Sequence, residues 1–266
     1  TLNLKFPHFA RLHVALPTLN EQARISEILN DTHRAISLSQ DLRNQKRAIR
    51  DQAILARIRV LGVRDRLLDE VVVSISAGKS PLCEDRPARN GEAGVLKVGA
   101  VSPIGFLPDE NKVVKDVSAF RSDMEVRLGD LLLTRANGSP ALIGMCCVVD
   151  RLPRRLYLSD KTFRLHIDEN RADRQFLNVA LKSPQVRAQI EGASTGGAGS
   201  MANLSQSAIR AIRLPIPKLD VQREIVGLEK NLAAAIAAEE SKLEALERVK
   251  TELARRLLTG ELRVKS

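Results

Sequence analysis

Read as a pattern of apolar and polar positions, the chain changes texture twice. From Leu19 to about Val60 it has no glycine, proline or aromatic residue. From Lys218 onward proline and aromatics are again missing, and glycine occurs only at Gly227 and Gly260. Stretches without helix breakers predict long helices. In the second stretch Ile225, Leu232, Leu246 and Leu253 keep a seven-residue phase, with Ile236, Leu243 and Leu257 as a companion row. That is a coiled-coil seam, interrupted at Glu229, Glu239 and Lys250. The first stretch is looser, with Ile28, Ala35, Leu42 and Ile49 in a heptad row among many polar residues. Two such helices in one chain are expected to pack antiparallel, covering Leu232, Ile236, Leu243, Leu246 and Leu253.

Residues 62–214 between them are a different material. Thirteen of the fifteen glycines fall here, with Phe106, Phe120, Tyr157, Phe163 and Phe176. Short apolar runs at Val71–Ile75, Val95–Val98, Leu131–Thr134 and Met145–Val149 predict strands separated by turns. Asp173 to Ile190 reads as helical, with Phe176, Leu177, Ala180 and Leu181 on one face. The expected fold is a mixed α/β (α+β) globular domain plus a long antiparallel two-helix coiled coil. The expected divisions are 1–17, the last strand of a preceding domain; 18–61, the first helix; 62–214, the globular domain; and 215–266, the second helix.

The two helical stretches open alike. Leu16-Pro17-Thr18-Leu19-Asn20-Glu21-Gln22 is matched 200 residues later by Ile216-Pro217-Lys218-Leu219-Asp220-Val221-Gln222, and the alternation of Leu12, Val14 and Leu16 by that of Ile212, Leu214 and Ile216. Each copy reads as a short strand, a proline stop and a helix start. Thr18 and Glu21 have capping-box spacing, and Asp220 is a candidate cap for the second helix.

Charge and composition narrow the function. A formal net charge of +10 over 266 residues favours a polyanionic partner, nucleic acid first. Cys83, Cys146 and Cys147 form no CxxC pair, and the four histidines join no ligand cluster. A zinc site or disulfide framework is therefore not expected, and a reducing cytoplasm is. No apolar run approaches spanning length, and the opening residues do not read as a signal peptide. The chain opens at Thr1, which leaves open a fragment or a processed product. Gly78-Lys79-Ser80 imitates the end of a phosphate loop, but Val73 occupies the leading glycine position. Pro108-Asp109-Glu110-Asn111-Lys112 is contiguous, whereas a nuclease core draws its acids and lysine from separate strands. No catalytic centre is expected.

Three segments carry a family resemblance. Ser76-Ala77-Gly78-Lys79-Ser80-Pro81 is similar to an "SGxTP" turn with one inserted alanine. Gly129-Asp130-Leu131-Leu132-Leu133-Thr134-Arg135-Ala136-Asn137-Gly138-Ser139 is similar to "GDhLhxRxGGS". The run from Ser194-Thr195-Gly196-Gly197 through Asn203-Leu204-Ser205 to Ile216-Pro217-Lys218-Leu219-Asp220-Val221-Gln222 is similar to a closing "STG…LS…IPLPxLxxQ" segment. In this order the segments resemble the specificity subunits of type I restriction–modification enzymes, whose pattern is recognition domain, helix, recognition domain, helix. The chain departs from it in lacking the first domain.

The resemblance implies a non-catalytic subunit that reads one half of a bipartite site in double-stranded DNA. About 40 helical residues, roughly 60 Å long, would act as a ruler between half-sites. It also implies methylation subunits with S-adenosylmethionine docked on the helices, and restriction subunits using ATP and magnesium joined through them, with no cofactor in this chain. Candidate DNA contacts are Arg135, Asn137 and Ser139 beside Gly138; Lys79 and Ser80 at the opening turn; Lys161, Thr162 and Arg164 after Tyr157; Lys97; and Ser194 and Thr195 in the closing loop. Alternatives are a half-size subunit that homodimerises, a module of a fused restriction enzyme, and a coiled-coil interaction protein that binds no DNA.

Overall fold

The computed structural model of the protein describes residues 16–60, 63–194 and 202–264. Helix α1 is Leu19–Val60. After it come strands β1 (Asp65–Leu67), β2 (Val72–Ala77), β3 (Cys83–Glu84), β4 (Gly94–Leu96), β5 (Val101–Ser102), β6 (Gly105–Phe106) and β7 (Asn111–Val114). They continue with β8 (Leu131–Thr134), β9 (Ala136–Asn137), β10 (Cys146–Val148), β11 (Leu156–Tyr157) and β12 (Thr162–Ile167). Helices α2 (Arg174–Ala180) and α3 (Pro184–Ala193), strand β13 (Ala202–Asn203), helix α4 (Gln206–Arg210), strand β14 (Arg213–Pro215) and helix α5 (Leu219–Thr259) complete the chain. It divides into two compact units, Asp51–Lys230 and the two outer segments Thr1–Arg50 with Asn231–Ser266.

The Asp51–Lys230 unit is a mixed helix-and-sheet domain. One sheet runs β10-β8-β12-β2, antiparallel throughout. A second runs β11-β4-β7-β3, with β11 and β4 parallel. Strand β8 is buried along its whole length, as its unbroken apolar run demands. Leu131, Leu133, Phe163 and Leu165 share a core with Phe176, Leu177, Ile190, Ile209, Leu214 and Ile225. The helix expected from Asp173 to Ile190 is instead two. Ser183 is extended and Pro184 starts α3, because proline holds its predecessor out of helical geometry. Strand β14 shows the predicted alternation, with Ile212 and Leu214 buried around exposed Arg213. Its counterpart in the first copy, Leu12 and Val14, lies outside the described residues.

Buried Gln222 locks the start of α5. Its Oε1 accepts from the Asp173 amide at 2.7 Å, and its Nε2 donates to the carbonyls of Arg171 at 3.0 Å and Pro217 at 2.7 Å. Asp173 in turn caps α2. Asp220 falls inside the first turn of α5 rather than at its cap, because the helix already starts at Leu219.

In the other unit α1 and α5 run antiparallel, since contacts climb one helix as they descend the other. His33 meets Lys250, Ser39 meets Glu239, and Lys46 reaches the Ala235 carbonyl. Thr18 and Glu21 form the expected capping box: the Thr18 amide donates to the Glu21 carboxylate at 2.9 Å and the Glu21 amide to Thr18 Oγ1 at 3.3 Å. Of the five seam residues Ile236 and Leu243 are buried, and Leu232, Leu246 and Leu253 are half-buried. The heptad row read on α1 is displaced. Leu42 and Ile49 are 39% and 56% exposed, while Ile25, Ile36 and Ser39 are buried. Polar partners decide that phase: Glu239, read as a break in the seam, is buried and accepts from Ser39 at 2.8 Å and Lys46 at 2.9 Å.

Candidate nucleic-acid interface

Four backbone segments converge at one rim of the domain. The Gly78 and Lys79 amides donate to the carbonyls of Ser159 and Leu158, both at 3.2 Å, seating the turn after β2 on the turn between β11 and β12. A Cβ at Gly78 would stand 1.7 Å from the Leu158 oxygen, so only glycine permits this approach. The Arg135 amide donates to the Lys161 carbonyl and the Leu204 amide to the Arg135 carbonyl, each at 2.8 Å. Strand β9 pairs with β13, setting Asn137 opposite Ala202. Lys79, Ser80, Arg135, Asn137, Ser139 and Lys161 thereby come from distant points of the sequence to one place.

Several of these side chains are oriented before any ligand arrives. The Arg135 guanidinium lies over the Phe163 ring, 5.2 Å from its centroid. Asn137 Oδ1 accepts from the Ser139 amide at 2.9 Å, which points its amide group along the β9 turn. Ser80 donates to the Asp160 carboxylate across the two turns. Among the described residues no carboxylate pairs with Lys79, Arg135 or Lys161.

Other candidates stand elsewhere. Thr162 is fully buried, its hydroxyl 3.2 Å from that of Ser159. Arg164, 4% exposed, lies 3.1 Å from the Asp130 carboxylate and donates to the Glu125 carbonyl at 2.6 Å. Both side chains point inward from β12, which corrects the expectation that they meet a ligand. Burial pushes the Asp130 carboxyl up and the Arg164 guanidinium down from their ordinary values, each charge partly restoring the other. Lys97 sits before β5, with its ammonium 3.6 Å from the Asp85 carboxylate. Ser194 closes the end of α3, its hydroxyl donating to the Glu191 carbonyl at 2.8 Å. Thr195 lies outside the described residues. Sequence reasoning passed over Asp160 and Asn203, which the turn and β13 bring to the rim. The signal for Asp160 was its place beside Lys161.

The motif residues divide the same way. Gly129, with φ +83°, turns the chain so that Asp130 accepts from the Arg127 amide at 2.7 Å and faces Arg164. Ser205 caps α4 through the Ala208 amide at 3.0 Å. These residues build the scaffold, while Lys79, Arg135 and Asn137 reach its surface. The cysteines are unpaired; burial pushes the Cys146 and Cys147 thiols to about 11 and about 12. Among the described residues no His, Cys, Asp and Glu group is arranged to hold a metal, and no helix is long and apolar enough to cross a membrane.

The fold is shared with solved specificity subunits. The type I restriction–modification S subunit from M. genitalium aligns over 91% of this chain and 61% of its own, with TM-score 0.54 and 14% identity. The HsdS subunit from Thermoanaerobacter tengcongensis aligns over 94% and 61%, with TM-score 0.52 and 17% identity. A chain from a structure of type I R-M complex assembly and conformational transition aligns over 93% and 61%, with TM-score 0.60 and 17% identity. No family model matches the chain. In sequence it is 27% identical over 196 residues to the type I restriction enzyme EcoEI specificity subunit of Escherichia coli, covering 73% of this chain and 33% of that protein. The chain thus spans about a third of that relative's length. In sequence and in fold the chain is thus similar to the specificity subunits of type I restriction–modification enzymes.

Proposed function

We propose that this chain is a non-catalytic DNA-recognition subunit that reads one half of a bipartite site through the rim formed by Lys79, Ser80, Arg135, Asn137, Ser139 and Lys161. The supporting observation is three cations on one rim, Lys79, Arg135 and Lys161, that no carboxylate neutralises among the described residues. A folded protein gains little by gathering unpaired like charges, whereas condensed counterions released from DNA make such a rim favourable for binding. Arg135, its guanidinium over the Phe163 ring, suits the guanine edge, and the amide NH2 of Asn137, whose Oδ1 is already engaged by the Ser139 amide, suits a base acceptor.

In the same reading the outward helix faces, where Arg248 and Glu244 are 73% and 71% exposed, hold methylation subunits that carry S-adenosylmethionine. Restriction subunits with ATP and magnesium join through those. The test is duplex binding across a salt series. Affinity should fall steeply with salt, and Lys79→Ala or Lys161→Ala should each lower the slope of log affinity against log salt by about one. Affinity indifferent to salt would refute the reading. Charge reversal at Arg248 or Glu247 should impair capture of the methylation subunit and spare DNA binding.

A further inference from the structure

We propose that Asp160 is a specificity-determining residue, a fixed base-edge acceptor that selects a cytosine amino group at one position of the DNA site. The inference rests on the reading of this rim as the DNA-binding surface. Asp160 is exposed in the turn between β11 and β12, next to Lys161. Its carboxylate accepts the Ser80 hydroxyl from the facing turn, and its own amide lies 3.4 Å from Ser80 Oγ. Two turns thus hold the carboxylate in one orientation. Lys79 adjoins Ser80, and Arg135 is tied to the Lys161 carbonyl. Among the described residues no cation forms an ion pair with Asp160, although lysines stand on both sides of the Ser80 contact.

A carboxylate in this position is costly against phosphates, which repel it. It lowers non-specific affinity and is favourable only where a hydrogen-bond donor meets it. In the major groove those donors are the amino groups of cytosine and adenine. A carboxylate accepts and cannot donate, so it suits cytosine N4, whereas adenine sets its N7 acceptor beside its amino group. An acid set among unpaired cations therefore serves base choice rather than attraction to the backbone.

The experiment is selection from a randomised DNA duplex pool by the wild-type chain and by Asp160→Asn, Asp160→Glu and Ser80→Ala. Asp160→Asn keeps an oxygen for Ser80 and removes the charge. It should lose the cytosine preference at one position, shift it towards adenine, and tighten binding to unrelated duplexes. Discrimination at that position should fall roughly five- to 150-fold. Asp160→Glu should keep the preference, and Ser80→Ala should blur it by releasing the carboxylate. If Asp160→Asn enriches the wild-type motif with unchanged discrimination, Asp160 is only a fastener between turns and the inference is overturned while the DNA-binding reading stands. If the wild-type chain enriches no sequence, the reading itself fails.

Discussion

Ser39 donates a hydrogen bond of 2.8 Å to Glu239, and the two residues are 200 positions apart, which is also the offset of the internal repeat. Equivalent positions of the repeat therefore meet where the antiparallel helices cross their midpoint. The buried phase is shared by both copies. Ile25 and Ile225 are buried, as are Ile36 and Ile236, and Ser39 and Glu239. Gln22 and Gln222 likewise donate the same local bond, to Pro17 at 2.8 Å and Pro217 at 2.7 Å.

Bonds from Lys46 and Ser39 lower the Glu239 carboxyl from the ordinary 4.5 to about 2. A depressed folded value means that its contribution is complete above the ordinary value and disappears as pH falls towards about 2. Thermal melts of the helix pair should lose midpoint over that interval. In Glu239→Gln this part of the pH dependence should flatten. An identical pH profile in the variant would show that Glu239 is not the group responsible.

Leu243 is 7% exposed and Ile49 is 56% exposed, although heptad spacing nominates both for the seam. Leu243→Asp should cost at least about 2–5 kcal/mol, the range for removing a buried leucine, with more for the stranded carboxylate. Ile49→Asp should stay within about 0.5 kcal/mol of wild type. Urea denaturation read by helical circular dichroism separates the two, and equal losses would contradict the observed phase.

Arg135 and Arg164 make opposite predictions although Arg135 directly follows β8 and Arg164 lies on its neighbour β12. Arg135→Ala should leave the unfolding midpoint nearly unchanged and cost about 1–3 kcal/mol of discrimination at one base pair. Arg164→Ala strands the Asp130 carboxylate in the interior and should destabilise the domain by about 3–5 kcal/mol. Melting curves beside competition with specific and scrambled duplexes read both effects. A stable Arg164→Ala protein with altered base choice would reverse the assignment.

Gln222→Ala should destabilise the Asp51–Lys230 unit by about 1–3 kcal/mol, because the Asp173 amide loses its acceptor and two carbonyls lose their donor. Hydrogen exchange should locate the loss at the start of α2, where the Asp173 amide becomes unprotected. Unchanged exchange there would show that water replaces the glutamine at no cost.

The scaffold was legible in the sequence where local chemistry is decisive. Missing breakers predicted α1 and α5, and apolar runs predicted β8 and β10. The Thr18–Glu21 spacing predicted its capping box. The break at Pro184 was legible as well, since proline excludes its predecessor from the helix, yet the apolar face from Phe176 to Ile190 obscured it. Gly78 was recognisable as a turn residue, but only its distance from the Leu158 oxygen explains why glycine is required.

Sequence by itself thus determined the two long helices, the strands with long apolar runs, the repeat and the basic character, because each follows from neighbours along the chain. Tertiary structure decided which polar residues are inside. Arg164 and Arg135 are both basic residues beside β-strand apolar runs. Arg164 is buried within β12 against Asp130, whereas Arg135 stands in the bend between β8 and β9 with its guanidinium over Phe163 at the rim, because the pairing of distant strands, not the neighbours in sequence, covers one and leaves the other at the edge. The same holds for α1, where apolar spacing favoured Leu42 and Ile49. Burial instead falls on Ser39, because the partner helix supplies Glu239 to receive its hydroxyl.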